Sequence, residues 1–181
     1  MKFKIGVFGS GDGGNPRCIG FAKDLGYHIA DNEGILITGA CGGLPHQAAC
    51  SATRQRGLVI GISPALNLEE HIDRYGFPFD SFYNLIFTGM GMKGRNVISL
   101  RSCDAAIFIS GRIGTLNEFT IAYDEAPKGF IIGILKGSGG VADKLLTLAE
   151  ESGKNSKATL IVNEHPYYLV KEIFEKLFRQ F

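Results

Sequence analysis

Short runs of apolar residues, rich in isoleucine, valine and phenylalanine, recur along the chain and alternate with segments of helical character. The apolar runs are residues 4–8, 35–38, 58–62, 85–88, 105–109, 130–135 and 159–162. Each run has the length of a strand and lacks alternating polar positions, which is typical of parallel strands buried on both faces of a sheet. The segments of helical character between them are residues 18–30, 47–55, 93–102, 115–125, 142–151 and 167–178.

The alternation of strand and helix predicts an α/β fold made of right-handed βαβ units. We expect a Rossmann-like, doubly wound and mostly parallel sheet of about seven strands, with helices on both faces and a binding site at the carboxyl ends of the strands. No linker, repeat or low-complexity tract divides the chain, so residues 1–181 are expected to form a single domain. The least regular stretch, residues 63–83, is interpreted as a lid or a subunit contact.

The composition of the chain narrows the classes of function. Of its 181 residues 45% are hydrophobic, and the formal net charge is +1. Such balanced charge gives no electrostatic reason to expect nucleic acid or an acidic membrane as a partner. The amino terminus runs directly into a strand and no apolar run approaches the length of a membrane span, so a cytoplasmic location is expected. The four cysteines show no C-x-x-C spacing, which predicts reduced thiols and no metal site.

Glycine-rich loops follow the first two predicted strands. The first reads GSGDGGNPR at residues 9–17, and the second reads TGACGGLP at residues 38–45. Glycine lets the backbone approach an anion closely, and the N–H groups at a following helix start favour phosphate. Neither loop has the order of a P-loop or of G-x-G-x-x-G, and tight turns that bind nothing are the alternative. The predicted phosphate-binding residues of these loops are Gly9, Ser10, Gly11, Arg17, Gly39, Gly42 and Gly43.

Two motifs in the second half of the chain carry a family resemblance. They read MKGR at residues 92–95 and SGRIGTLNE at residues 110–118. These motifs and their spacing resemble the M-x-x-R and P-G-G-x-G-T-x-x-E motifs of the LOG ("lonely guy") family of cytokinin-riboside-monophosphate phosphoribohydrolases, whose relatives often carry the label "possible lysine decarboxylase". The glycine-rich opening also resembles that of molybdenum-cofactor carrier proteins of the same superfamily.

The resemblance implies a Rossmann-like homodimer or higher homo-oligomer that binds a nucleoside monophosphate or a related phosphorylated small molecule. It implies cleavage of the N-glycosidic bond with no redox cofactor, and we expect no cofactor at all. Arg95 and Glu118 match the catalytic pair. Because this cleavage passes through a cation-like sugar, a nearby carboxylate has a physical role.

The resemblance also extends the predicted ligand-binding set. In the second motif, Gly111, Gly114 and Thr115 match the part that cradles the 5′-phosphate. The set is completed by Met92 from the first motif and by Arg112, a long cation that either adds a phosphate contact or fills part of the pocket.

Three departures from the LOG pattern keep other interpretations open. Ser110 replaces a proline, Arg112 replaces a glycine, and Asn96 replaces a lysine usual in the hydrolases. They favour, as an alternative, a nonenzymatic nucleotide or molybdenum-cofactor carrier that uses the same loops. A scaffold with a vestigial pocket is a third interpretation. Thr115 and Glu118 also have the spacing of a helix capping box, which requires no catalysis.

Overall fold

The computed structural model describes residues 2–180, and its core is one sheet of seven parallel strands. The strands are β1 (Lys4–Gly9), β2 (Ile35–Thr38), β3 (Leu58–Ser63), β4 (Asn84–Phe87), β5 (Ala105–Ile109), β6 (Ile131–Leu135) and β7 (Thr159–Asn163). Every strand overlaps an apolar run of the sequence. The predicted α/β fold is therefore confirmed, and the sheet is parallel throughout rather than mostly parallel.

The order of the strands across the sheet is β4-β3-β2-β1-β5-β6-β7. The chain first winds outward from β1 to β4 and then returns to the centre, where β5 pairs with the other edge of β1 from Ile5↔Ala105 to Gly9↔Ile109. The carboxyl ends of β1 and β5 thus form a topological switch point, where connections leave in opposite directions and a crevice opens.

Helices cover both faces of the sheet. They are α1 (Pro16–Asp31), α2 (Gly43–Arg54), α3 (Leu68–Asp73), α4 (Gly91–Arg101), α5 (Ile113–Glu125), α6 (Leu145–Glu151) and α7 (Pro166–Phe178), with a 3-10 turn at Ala142–Lys144. Successive strand residues point to opposite faces. Val7 accordingly lies in the apolar cluster shared with α1, α2 and α7, while Phe8 lies in the cluster shared with α4, α5 and α6.

Several helices begin earlier than the sequence pattern predicts. Gly43 and Gly91 are the first residues of α2 and α4, and Gly114 is the second residue of α5. Glycine is a poor helix former, so these positions carry no helical signal of their own. Helix α3 was not predicted; it is a six-residue helix inside the irregular stretch, capped by the Asn67 side chain, which accepts a hydrogen bond from the Glu70 N–H at 2.9 Å.

Among residues 2–180, no helix combines the length and the apolar character that crossing a membrane requires.

We predict that Gly26→Ala destabilises the protein although alanine is the better helix former. A Cβ at Gly26 would overlap the Ala48 carbonyl oxygen and lie 2.7 Å from its carbon, because α1 and α2 meet backbone to backbone there. Such overpacking costs about 1–3 kcal/mol. On the same helix, a Cβ at Gly20 would meet no other part of the chain within 4 Å, so Gly20→Ala is expected to stabilise by up to about 1 kcal/mol. Urea unfolding of both variants measures the difference, and a gain in stability for Gly26→Ala contradicts the close contact.

Candidate functional site

A cavity of about 430 Å³ opens at the β1–β5 switch point. The loop after β1, the start of α4 and the start of α5 form its walls, as expected when parallel strands end at one edge of a sheet. The predicted residues that line it are Gly9, Ser10, Gly11, Met92, Arg95, Arg112, Gly114, Thr115 and Glu118. The structure thus gathers residues from both motifs and from the first glycine loop around one space.

The glycines of the second loop lie behind the cavity wall. A Cβ at Gly39 would overlap Nη1 of Arg95, so this glycine makes room for the guanidinium. Gly43 has a φ of +70°, and a Cβ there would overlap the Ser10 carbonyl oxygen, while the next residue donates its N–H to that oxygen at 2.9 Å. A Cβ at Gly42 would lie 3.2 Å from the Gly11 carbonyl oxygen. The second loop therefore supports the first by close backbone packing.

Two other predicted residues also lie away from the cavity lining. Gly111 has a φ of +87°, and its carbonyl oxygen accepts a hydrogen bond from the Val141 N–H at 2.9 Å. It shapes the loop that leads into α5. Arg17 is exposed, and its guanidinium lies 5.0 Å from the centre of the Phe21 ring on the same helix. The structure places Arg17 on the surface of α1 rather than beside the other predicted residues.

The first turn of α5 faces the cavity without a side-chain cap. Arg112 occupies the N-cap position and makes no capping hydrogen bond, and the helix begins at Ile113. The first N–H groups of a helix have no acceptor within it, and they favour an anion. Thr115 is the third helical residue, so it is not the N-cap that a capping box requires.

Arg95 and Glu118 form a buried pair at the base of the cavity. Arg95 is 2% exposed and Glu118 is 7% exposed, and Nη1 lies 3.5 Å from Oε1. Nη2 of Arg95 lies 3.9 Å from the Met92 sulfur, whereas its buried Nε has no hydrogen-bond partner among the residues described. The guanidinium therefore keeps unused hydrogen-bonding capacity next to the cavity.

Burial raises the pKa of Glu118 from 4.5 to about 7, although the charges of Arg95 and Lys93 act in the opposite direction. Asn96 reinforces the carboxylate: with its amide nitrogen toward Glu118, it donates to Oε1 at 3.2 Å and to the Met92 carbonyl oxygen at 3.0 Å. The asparagine that replaces the lysine of the LOG pattern is therefore buried against the acid.

The other two departures from the LOG pattern have local explanations. Ser110 has a φ of +52°, which proline cannot adopt because its ring holds φ near −65°. Arg112 forms an exposed ion pair with Asp12 of the first glycine loop, across the rim of the cavity. Its side chain thus joins two loops at the entrance.

Six residues of the cavity lining were missing from the predicted site: Asp12, Lys93, Asn96 and Ile113, which adjoin predicted residues in the sequence, and Cys41 and Phe77. Cys41 follows β2, and burial raises the pKa of its thiol, partly offset by the nearby Arg95. Phe77 comes from the irregular stretch between β3 and β4. The sequence offered one signal for each of these two residues: residues 63–83 were interpreted as a lid or a subunit contact, and Cys41 lies between Gly39 and Gly42 in the second glycine-rich loop.

The fold and the cavity define a Rossmann-like α/β protein whose candidate site lies at the switch point of its sheet. The chain belongs to the SLOG cluster4 family, whose model matches residues 2–170. The resemblance to LOG-like proteins is thereby confirmed at the level of the family.

Similar proteins agree with this assignment. An uncharacterized protein of Archaeoglobus fulgidus is 33% identical over 126 residues, which cover 69% of this chain and 76% of the relative. Among solved structures, the structural genomics target TM1055 superposes with a TM-score of 0.78 at 21% identity, covering 97% of this chain and 99% of the other. The molybdenum cofactor binding protein of Rippkaea orientalis has a TM-score of 0.72 at 26% identity, with coverage of 99% and 97%.

One structural neighbour bears on the expectation that no nucleic acid binds. DNA processing protein A from Helicobacter pylori, described as binding single-stranded DNA, has a TM-score of 0.63 at 16% identity and covers 100% of this chain and 82% of the other. This likeness concerns the fold alone. The nucleotide ligand, the homodimer and the absence of nucleic acid stay predictions.

We predict that Glu118→Gln removes part of the pH dependence of stability. The folded protein holds the Glu118 proton up to a pKa of about 7, whereas the unfolded chain releases it near 4.5. Wild-type stability therefore falls as the pH rises through this window, by on the order of 3 kcal/mol for this group. Urea unfolding at pH 5 and pH 8 measures the free energy of unfolding. The stability of the glutamine variant relative to the wild type should be greater at pH 8 than at pH 5.

The matched control for this experiment is Glu125→Gln, which removes an exposed carboxylate from the same helix. Its stability relative to the wild type is expected to change little between the two pH values. If Glu118→Gln behaves like this control, Glu118 is ionised throughout the range.

Proposed function

We propose that the protein binds a nucleoside 5′-monophosphate at the β1–β5 switch point and cleaves its N-glycosidic bond. The observation that carries this proposal is the buried Arg95–Glu118 pair, whose carboxyl has a pKa of about 7 and faces the cavity. A carboxyl that titrates near neutral pH can both give and take a proton, which is the property of a general acid–base catalyst.

The phosphate is assigned to the first turn of α5. The uncapped N–H groups there and the Thr115 hydroxyl are donors, and the helix dipole favours negative charge at this end. Arg95 and Lys93 add positive charge to the same cavity. A ligand anchored by its phosphate at α5 would place its ribose over Glu118, one turn further along the helix.

The reaction adds water across the bond between the sugar and the base. The water oxygen bonds to C1′ as the bond from C1′ to the base nitrogen breaks, and the bonding electron pair leaves with the base. Ionised Glu118 takes one proton from the water, the other stays on the new C1′ hydroxyl, and Glu118 then gives up its proton to the departing base, so the carboxylate is regenerated and the products are ribose 5-phosphate and the free base. Arg95 would hold the Glu118 carboxylate and stabilise negative charge that develops beside it.

A second candidate function is a nonenzymatic carrier of a nucleotide or of the molybdenum cofactor. The Arg112–Asp12 ion pair favours it, because a contact between two loops at the cavity rim would slow the exit of a ligand. The 26% identical molybdenum cofactor binding protein of Rippkaea orientalis supports it as well. Both candidates use the same phosphate-binding end of the cavity and differ in whether a bond is broken.

We predict that purified protein releases free base and ribose 5-phosphate from AMP or another nucleoside monophosphate. Since positioned acid–base groups contribute about 10²- to 10⁴-fold to a rate, Glu118→Gln should lower base release by at least about 100-fold. The measurement is chromatography of the base together with an assay for ribose 5-phosphate. Glu125→Gln on the same helix is the control and should retain full activity.

The same experiment separates the two candidates. A monophosphate or molybdopterin that raises the melting temperature without being cleaved indicates a carrier, because ligand at about 100 times its Kd stabilises the folded state by about 2.7 kcal/mol. Unchanged base release in Glu118→Gln would contradict the assigned role of this residue.

A further inference from the structure

One aromatic ring of the cavity wall comes from a segment that the catalytic proposal does not use. Phe77 is the single aromatic residue among the described residues that line the cavity. It belongs to the connection between β3 and β4, whereas the proposed phosphate site belongs to the connection after β5. The cavity thus combines the first turn of α5 and the α4 cations Lys93 and Arg95 with an aromatic ring from the β3–β4 connection.

The separation of these two walls follows from the strand order. Along the sheet edge, β5 is followed by β1, β2 and β3. With neighbouring strands about 4.8 Å apart, the lines of β5 and β3 are separated by roughly 14 Å. Phe77 lies in the connection that follows β3, and it lines the same cavity as the first turn of α5. The cavity therefore suits a ligand with a phosphate at one end and a planar apolar group at the other.

The position of Phe77 is fixed by contacts outside the cavity. The Tyr75 ring stacks on it with a centroid distance of 5.4 Å, and the His71 ring meets it edge-on at 5.7 Å. The Phe77 N–H donates to the His71 carbonyl oxygen at 3.2 Å. These contacts hold the ring in the cavity wall before any ligand arrives.

His71 in turn ties this segment to the sheet. It is fully buried, with Nδ1 2.8 Å from the Ser63 hydroxyl at the end of β3 and Nε2 3.0 Å from the Pro78 carbonyl oxygen. Since a carbonyl only accepts, Nε2 carries a proton and donates it, and the Ser63 hydroxyl can donate to Nδ1. A buried histidine with both nitrogens in use gives the stretch around Phe77 a defined path.

We propose that Phe77 is the residue that recognises the base, so that the site selects phosphates carrying a planar aromatic heterocycle over plain sugar phosphates. This inference rests on the proposed function, because it takes the α5 end as the phosphate site. Stacking of a base on an aromatic side chain is tolerant of base identity. Phe77 therefore selects for the presence of a heterocycle, and groups elsewhere distinguish one base from another.

The test compares AMP with ribose 5-phosphate, which share the sugar and phosphate but differ in the base. Phe77→Ala should weaken AMP binding about tenfold and change ribose 5-phosphate binding by less than about twofold. Phe77→Leu keeps apolar bulk and guards against loss of folding; it should weaken AMP binding by an intermediate factor. Phe79→Ala is the matched control, because Phe79 is an exposed aromatic of the same segment outside the cavity wall, and it should change neither affinity.

Calorimetric titration measures both affinities, in a Glu118→Gln background for any ligand that the protein cleaves. Equal losses for the two ligands, or an unchanged AMP affinity in Phe77→Ala, would overturn the role of Phe77 while leaving the phosphate site in place. If neither ligand binds to protein with Phe77 intact, the proposed function itself fails and this inference fails with it.

Discussion

Burial of the Arg95 guanidinium is the constraint around which the sheet edge is organised. A cation withdrawn from water is strongly unfavourable unless other groups replace its hydration. Gly39 makes room for the side chain, and Glu118 supplies a carboxylate 3.5 Å away. The compensation is incomplete, since Nε has no partner among the described residues and the Glu118 carboxyl has a pKa of about 7. An anion bound in the cavity would complete this compensation. The affinity for the anion and the free energy of burying the Arg95–Glu118 pair are therefore coupled.

The strands and the shared edge were predictable because they depend on local and general rules. A run such as Ala105–Ile109 has five buried residues in succession, and only a strand covered on both faces is apolar without alternation. Once the sheet is parallel, the residues that follow β1 and β5 must lie at the same edge. The meeting of the first glycine loop with Arg95 and Glu118 therefore follows from topology, and the sequence motifs identify which side chains take part.

The remaining features depend on contacts between distant parts of the chain, which local patterns do not encode. Arg112 pairs with Asp12, which is one hundred positions earlier in the sequence. Phe77 reaches the cavity because a buried histidine fixes an otherwise irregular stretch, and the polar neighbours of His71 are visible only in three dimensions. Arg17 lies away from the cavity for a local reason: Asn15 caps the first turn of α1 by accepting from the Cys18 N–H at 2.9 Å, and the Arg17 side chain of that turn is exposed.

Two of the three departures from the LOG pattern, Ser110 and Arg112, change the rim of the cavity, whereas Asn96 lies against the Glu118 carboxylate. An exposed ion pair contributes about 0–1 kcal/mol, so the Arg112–Asp12 contact can slow the exit of a ligand by a few-fold at most and opens readily when a ligand enters. The side chain of Arg112 is then available as a further cation at the entrance, while the first turn of α5 remains uncapped. Ser110 alters the path into that turn without touching Arg95 or Glu118. Since Arg95 and Glu118 are both present beneath an altered rim, the Ser110 and Arg112 substitutions are better suited to changing how long a ligand stays than to removing the carboxyl that is proposed to act on it.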